Sequence, residues 1–177
     1  MTESKSTPTG SPPAGGWSPA RLLWLLAPLV VWVAVIAADS SDIASSAHTD
    51  VLLLRFVRVF SQGAGSGSNE FSTLSFLVRK TAHVIEYGIL GALLTRATRG
   101  MLPGYVRGRQ LQLLWRAASV ALPCGLVVSV ADEIHQTTVP SRVGSPKDVA
   151  WDFLGLVLGL LATWLVWRRR RRGPSRV

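Results

Sequence analysis

Four long apolar segments, separated by polar or basic stretches, organise the sequence. Roughly twenty apolar residues in a helix cross about 30 Å of hydrocarbon, so the pattern predicts an all-α membrane protein with about four transmembrane helices. The predicted spans cover residues 22–38, 71–95, 113–134 and 149–167. They define a membrane domain at 20–167, between a tail at 1–19, expected to be disordered, and a basic tail at 168–177.

The first segment has two interpretations. It is uncharged and contains Pro28, and it is just long enough to span a membrane. It also resembles a signal peptide, with Arg21 as the charged region and Ile36-Ala37-Ala38 as a small-residue site. We favour a retained span, because the preceding tail is long and the cleavage site is imperfect.

The second segment is the least apolar, because Arg79, Lys80, His83 and Glu86 lie in its first two thirds, and hydropathy alone scores it poorly. Its inner part, Tyr87 to Thr95, is uncharged and contains two glycines. The fourth segment carries a G-x-x-x-G spacing. Since small residues let helices approach closely in lipid, we predict that these glycines form packing faces. They are Gly88 and Gly91 in the second segment, and Gly155 and Gly159 in the fourth.

The connection between the first two segments contains a shorter apolar stretch, VLLLRFVRVF at 51–60. It is too short to span, and Arg55 and Arg58 lie one helical turn apart, which favours a short amphipathic helix on the membrane surface. An ordinary connecting helix is the alternative. The sequence SQGAGSGSNE at 61–70 then predicts a flexible linker.

Composition supports the membrane assignment and changes how the charge is interpreted. Charged residues make up 16% of the chain, against about 25% in soluble domains. The net charge of +9 suggests nucleic acid at first, but five of the cations form one block, Arg168 to Arg172, directly after Trp164 and Trp167. That is a membrane-boundary pattern. We therefore predict membrane lipids as partners and no nucleic acid.

The cations also predict which side each connection faces. Thirteen Lys and Arg residues and one acid lie in the tails, at Arg21 just before the first span and in the 96–116 connection, whereas the rest of the chain has six cations and nine acids. By the positive-inside rule, both termini and the 96–116 connection are cytoplasmic in a multi-pass protein of the cell membrane. The basic side is expected to meet anionic lipid.

With this orientation, the remaining ionisable residues fall in one outward-facing layer. Those of the second span share a helical face, and those of the third and fourth spans lie at the outer ends. A charge at depth costs roughly 2.5–3.5 kcal/mol unless it is paired or wet, so Glu86 and Asp152 need partners. A structural polar network and a functional site both fit this pattern. The candidate site residues are Lys80, His83, Glu86, Asp132, Glu133, Gln136, Arg142, Asp148 and Asp152.

The candidate residues do not define a reaction. We predict no metal, because no recognised zinc spacing occurs and Lys80 and Arg142 would repel a cation, and we predict no cofactor. A carboxylate beside His83 suits general acid–base chemistry, and Lys80 with Arg142 suits a phosphate or carboxylate. The chain contains no G-x-S-x-G motif, P-loop or dinucleotide fingerprint, so whether it is an enzyme stays open. Cys124, the single cysteine, cannot form an internal disulfide.

The same residues resemble the VanZ-like family of bacterial integral membrane proteins, over roughly residues 20–167. Ser141 replaces the glycine that is usual in the family, and Asp152 stands where the family has Asp or Asn. The motifs that carry the resemblance are Lys80-x-x-His83-x-x-Glu86-Tyr87, Asp132-Glu133-x-x-Gln136, Pro140-x-Arg142 and Asp148-x-x-x-Asp152-x-x-Gly155.

This resemblance implies a link to the cell envelope, because the family is named for an accessory protein of teicoplanin resistance. Our leading hypothesis is an outward polar site that binds a cell-wall precursor or a lipoglycopeptide, with Lys80 and Arg142 holding an anionic group. One alternative is an enzyme acting on a lipid-linked envelope precursor, with Glu86 or Asp132 as base. Another is a structural module that docks on a partner through Gly155 and Gly159. The sequence leaves the oligomeric state open.

Overall fold

Four α-helices make up nearly all of the part of the chain that the structure describes. The computed structural model describes residues 18–41, 69–102, 110–140 and 144–172, and these ranges contain no strand. The helices are α1 (Pro19–Asp39), α2 (Asn69–Met101), α3 (Gln110–Thr138) and α4 (Pro146–Arg172). The predicted all-α class is therefore confirmed.

Each helix contains one predicted span and extends past it at both ends. α4 continues into the arginine block as far as Arg172, since arginine is a good helix former. α2 begins at Asn69, so the last two residues of the predicted linker are already helical. The surface helix expected at 51–60, the rest of that linker and most of both tails lie outside the described residues.

Local sequence explains why α1 begins three residues before the predicted span. Ser18 is extended, and its side-chain oxygen accepts a hydrogen bond from the Arg21 backbone N–H at 3.2 Å. Pro19 occupies the first helical turn, where its missing N–H removes no hydrogen bond. Pro28 lies inside the helix, as the predicted span requires.

The helices have the length and surface of membrane spans. Three of the described helices are long and apolar enough to cross a membrane. They are α1, α3 over Leu111–Thr138 and α4 over Pro146–Arg170. α2 is longer than any of them but is not among these three, as its ionisable residues predict. Large apolar side chains face outward: Trp24 is 65% exposed and Val127 is 69% exposed. An apolar surface of this kind suits lipid rather than water.

α2 and α4 form the most extensive interface, and they run parallel. Their backbones are close enough to exclude side chains: a methyl group on Gly159 would collide with the Gly88 carbonyl, and one on Gly155 would lie 2.5 Å from the Val84 oxygen. Gly91 lies equally close to the Leu156 backbone. The predicted packing faces are confirmed, and they meet each other.

The apolar core lies beside this interface. It is contributed by all four helices and consists of Ile36, Tyr87, Leu90, Leu94, Ala121 and Leu156. α1 is also attached through Trp32, whose indole N–H donates to the Glu86 carbonyl at 3.0 Å. The core separates two ends of the bundle. We call the end that contains Lys80 and Asp148 the polar end, and the end that contains Arg21 and Arg170 the basic end.

Candidate functional site

An ion pair between α2 and α4 lies at the margin of the polar end. Lys80 Nζ donates to Asp148 Oδ1, and both side chains are only 15% exposed. The Lys80 ammonium also lies 5.4 Å from the centre of the Phe76 ring. Lys80 is thus neutralised within the chain. The sequence hypothesis gave Lys80 an anionic ligand, and the structure shows the Asp148 carboxylate beside it.

A buried carboxylate lies one helical turn deeper. Asp152 is fully buried, its Oδ1 is 3.1 Å from His83 Nδ1, and its Oδ2 accepts a hydrogen bond from the Ser129 hydroxyl at 2.7 Å. Both oxygens therefore have partners, as the depth of this charge requires. Residues from α2, α3 and α4 meet at this carboxylate. We refer to them as the Asp152 triad.

A second buried carboxylate joins α1 to α3. Asp132 Oδ1 accepts from the Ser40 hydroxyl, and Asp132 Oδ2 accepts from the Gln136 amide at 3.0 Å. All three residues are buried. Asp132 and Gln136 are four residues apart on one face of α3, so their contact follows directly from the helix. Asp132 is thus a fixed acceptor rather than a free base.

Glu133 holds the segment that leads into α4. Its Oε2 accepts from the Ser145 backbone N–H at 2.6 Å, and Gly144 lies against it: a methyl group there would be 2.5 Å from the Glu133 carbonyl. The other oxygen, Oε1, is buried and has no hydrogen-bond partner among the described residues. Buried polar atoms usually have a partner, so this oxygen is a position where a donor group would be stabilised.

Tyr87 and Glu86 complete the polar end. The Tyr87 side chain is fully buried, and its hydroxyl lies close enough to the Asp132 carboxylate to interact with it. The Glu86 carboxylate is half-buried and interacts electrostatically with His83 and Asp132, but no described side chain donates a hydrogen bond to it. The sequence predicted partners for Glu86 and Asp152. The described residues supply hydrogen-bond partners to the Asp152 carboxylate, whereas the Glu86 carboxylate has an electrostatic contact with His83.

The structure therefore brings eight of the nine candidates to the polar end. The ninth, Arg142, lies outside the described residues. Within the described part of the polar end, carboxylates outnumber cations, and the Asp152 triad, the Asp132 contacts and the Lys80–Asp148 pair hold several of them in fixed positions. No three Asp, Glu, His or Cys side chains in the described ranges are arranged to hold a metal ion.

The chemistry available here centres on His83. Its Nδ1 is held by Asp152, which orients the ring and favours a proton on that nitrogen, so Nε2 is the nitrogen available to accept another proton. Ser129 contacts Asp152 rather than His83. A serine in that position is not activated as a nucleophile, because activation requires a hydrogen bond to the base.

Sequence reasoning missed three serines: Ser40, Ser129 and Ser145. For Ser129 a signal existed, because it is three residues before Asp132 and seven before Gln136 and therefore shares their helical face. Ser40 and Ser145 contact residues distant in sequence, Asp132 and Glu133. No local pattern marks them.

The glycines proposed as a docking surface are already occupied. Gly155 and Gly159 are both buried, and both pack against α2 of the same chain. The hypothesis that they bind another membrane protein therefore loses the contact on which it was based.

Together, these features define a helical membrane protein with an acid-rich polar network at one end of the bundle. The sequence profile of the VanZ/LLP1 family matches residues 23–167, which include most of α1 and the whole polar end. The chain belongs to the VanZ/LLP1 family. No curated protein and no solved structure matches it.

Proposed function

We propose that the protein binds a component of the cell envelope at the polar end and that this binding contributes to resistance to glycopeptides of the teicoplanin type. The observation that carries the proposal is the buried Glu133 Oε1, which has no hydrogen-bond partner among the described residues, beside the hydrogen-bonded carboxylates of Asp132 and Asp152. Such atoms are stabilised when a ligand supplies the missing hydrogen bonds.

The proposed orientation comes from the distribution of cations. Residues from both ends of the chain, Arg21 and Arg170, lie at the basic end. The positive-inside rule assigns such an end to the cytoplasm in a multi-pass protein of the cell membrane. The polar end then faces outward, where cell-wall precursors and glycopeptides are found.

The chemistry of the polar end indicates what kind of group would bind. Lys80 is paired with Asp148, and Asp132 and Asp152 are already held by donors. The oxygen that remains on Glu133 is an acceptor. We therefore propose that the ligand presents N–H or O–H donors, such as the amides and hydroxyls of a peptide- or sugar-bearing precursor, rather than a bare anion.

A susceptibility assay tests the proposal. A deletion strain is complemented with wild type, Glu133→Gln or Tyr87→Phe, and teicoplanin and vancomycin susceptibility are measured together with the amount of folded protein in the membrane. We expect Glu133→Gln to approach the deletion strain at normal abundance. Lys147→Gln is the control, because Lys147 is exposed at the same end. If both probe variants are abundant and as resistant as wild type, the proposal fails.

The hydrogen bond between His83 and Asp152 favours a second candidate function, an enzyme acting on a lipid-linked precursor. Glu86 and Asp132 were the expected bases, but Asp132 is fixed by two donors, whereas His83 has a carboxylate that orients it. His83 would accept a proton at Nε2 from a substrate hydroxyl or water, with Asp152 stabilising the resulting imidazolium.

Turnover of labelled envelope lipids by the purified protein tests this second function. We expect wild type to form a product that His83→Gln does not form, while both bind the precursor equally. If folded wild type binds the precursor but forms no product, the enzyme function is excluded and only the binding function remains.

A further inference from the structure

A cleft of about 470 Å³ opens at the basic end, between the first turns of α1 and the last turns of α2 and α4. Its polar lining consists of four arginines, Arg21, Arg96, Arg99 and Arg170. The volume lies in the range of about 300–1,000 Å³ that is usual for ligand pockets. The polar end is at the opposite end of the bundle, so the cleft is separate from the site described above.

Four guanidinium groups converge on the cleft, and the described residues that line it include no Asp or Glu. Guanidinium groups brought together in this way create a positive potential that attracts an anion. Each guanidinium has five N–H donors in a planar fork that matches the oxygens of a phosphate. One N–H of the Arg96 guanidinium donates a hydrogen bond to the Trp24 backbone carbonyl at 3.1 Å.

Two of the four guanidinium groups stack on tryptophan rings. The Arg96 guanidinium lies 3.8 Å from the centre of the Trp24 ring, and that of Arg99 lies 3.7 Å from the centre of the Trp167 ring. Stacking of this kind orients the planes of the guanidinium groups and reduces the entropy lost when they bind a ligand. Tryptophan is also typical of the headgroup region of a membrane.

Capping of helix ends explains only part of this arrangement. Arg21 donates to the Gly100 carbonyl at 2.8 Å, near the end of α2, which is an ordinary way to satisfy a terminal carbonyl. Such a contact requires no cavity. The cleft also has an apolar wall formed by Leu25, Leu102 and Leu113, which capping does not explain.

We propose that this cleft binds the phosphate of an anionic phospholipid headgroup. The arginines would hold the phosphate oxygens, and the leucine wall would contact the glycerol and the start of the acyl chains. Basic pockets between membrane helices on the cytoplasmic side suit such headgroups. A soluble phosphate ester shares the charged chemistry but gains nothing from the apolar wall.

Lipid retention by the purified full-length protein tests this inference. Native mass spectrometry measures the affinity for phosphatidylglycerol and for phosphatidylcholine, and glycerol 3-phosphate is titrated as a soluble competitor. Arg96→Gln/Arg170→Gln is expected to weaken phosphatidylglycerol binding by at least about tenfold, since each arginine near the surface contributes roughly 1 kcal/mol toward an anionic lipid. The control is Arg168→Gln/Arg169→Gln, which removes the same charge from exposed positions outside the lining.

Several results would decide the question. Equal weakening by the two double variants would show that general surface charge holds the lipid, which overturns the proposal. Displacement of the lipid by glycerol 3-phosphate at similar concentration would identify the site as one for phosphate esters in general rather than for a lipid. If the double variant does not fold, Leu113→Trp keeps all four arginines and narrows the cleft. Wild-type lipid retention by a folded Leu113→Trp protein would also contradict the proposal.

Discussion

His83 of α2 and Asp152 of α4 are joined by a contact of 3.1 Å between Nδ1 and Oδ1, and Asp152 has no exposed surface. The same carboxylate accepts a hydrogen bond from Ser129 of α3. A single buried side chain thus connects three helices, and its loss should affect the fold before it affects any ligand.

Asp152→Asn is expected to fold nearly as well as wild type, because an amide can still accept from His83 and donate to the Ser129 oxygen. Asp152→Ala leaves both partners unsatisfied and should lower the free energy of unfolding by about 1–3 kcal/mol. Thermal unfolding of both variants in detergent measures the difference. Equal stability of the Ala variant and wild type would mean that the triad does not hold the helices together.

Gly159→Ala is expected to destabilise the protein by about 1–3 kcal/mol, because the added methyl group collides with the Gly88 backbone and forces the helices apart. Gly88→Ala is the matched control at the same interface. Its methyl group would lie 3.5 Å from the Gly155 oxygen, an ordinary contact. If the two variants unfold at the same temperature, the close approach does not contribute to stability.

Lys80 and Asp148 should be energetically coupled. A double-mutant cycle with Lys80→Met and Asp148→Asn is expected to give a coupling energy above the roughly 0.2–1 kcal/mol of exposed ion pairs, because both side chains are largely shielded from solvent. Lys147→Met, at an exposed position beside Asp148, should change stability by no more than about 0.5 kcal/mol. A coupling energy near zero would show that the Lys80–Asp148 ion pair does not contribute to the stability of the fold.

α1 is expected to remain in the mature protein. It is attached at the basic end by Arg21, at its middle by Trp32 and at the polar end by Ser40. Cleavage before Asp39 would remove Ile36 from the core. Intact-mass measurement of protein purified from membranes should show α1. A mass that corresponds to a chain beginning at Asp39 would support the signal-peptide interpretation instead.

Helix number and packing faces were predictable because they depend on local pattern. Apolar runs identified α1, α3 and α4, and the glycine spacing identified the faces of α2 and α4 that touch. For the same reason, hydropathy failed on α2. Lys80 and His83 pair with carboxylates of α4, and a composition average does not distinguish such inward charges from outward ones.

Partners within the site were not predictable, because they depend on how far one helix is displaced along another. The sequence allows Lys80 and His83 to pair with Asp148 and Asp152 in either order, and only the packing of α2 on α4 selects Asp148 for Lys80 and Asp152 for His83. The basic end illustrates the same limit. From the sequence, its arginines predicted only how the protein is oriented in the membrane. Their convergence on one cleft depends on the tertiary structure.

The glycine contacts between α2 and α4 have a consequence for both ends of the molecule. Because Gly155 and Gly159 set the register of two parallel helices, they also determine that Lys80 meets Asp148 at one end and that Arg99 stacks on Trp167 at the other. One residue inserted into α4 after Gly159 would rotate everything beyond it by about 100°. The polar network would keep its partners, while the arginine cleft would lose the Trp167 side of its wall.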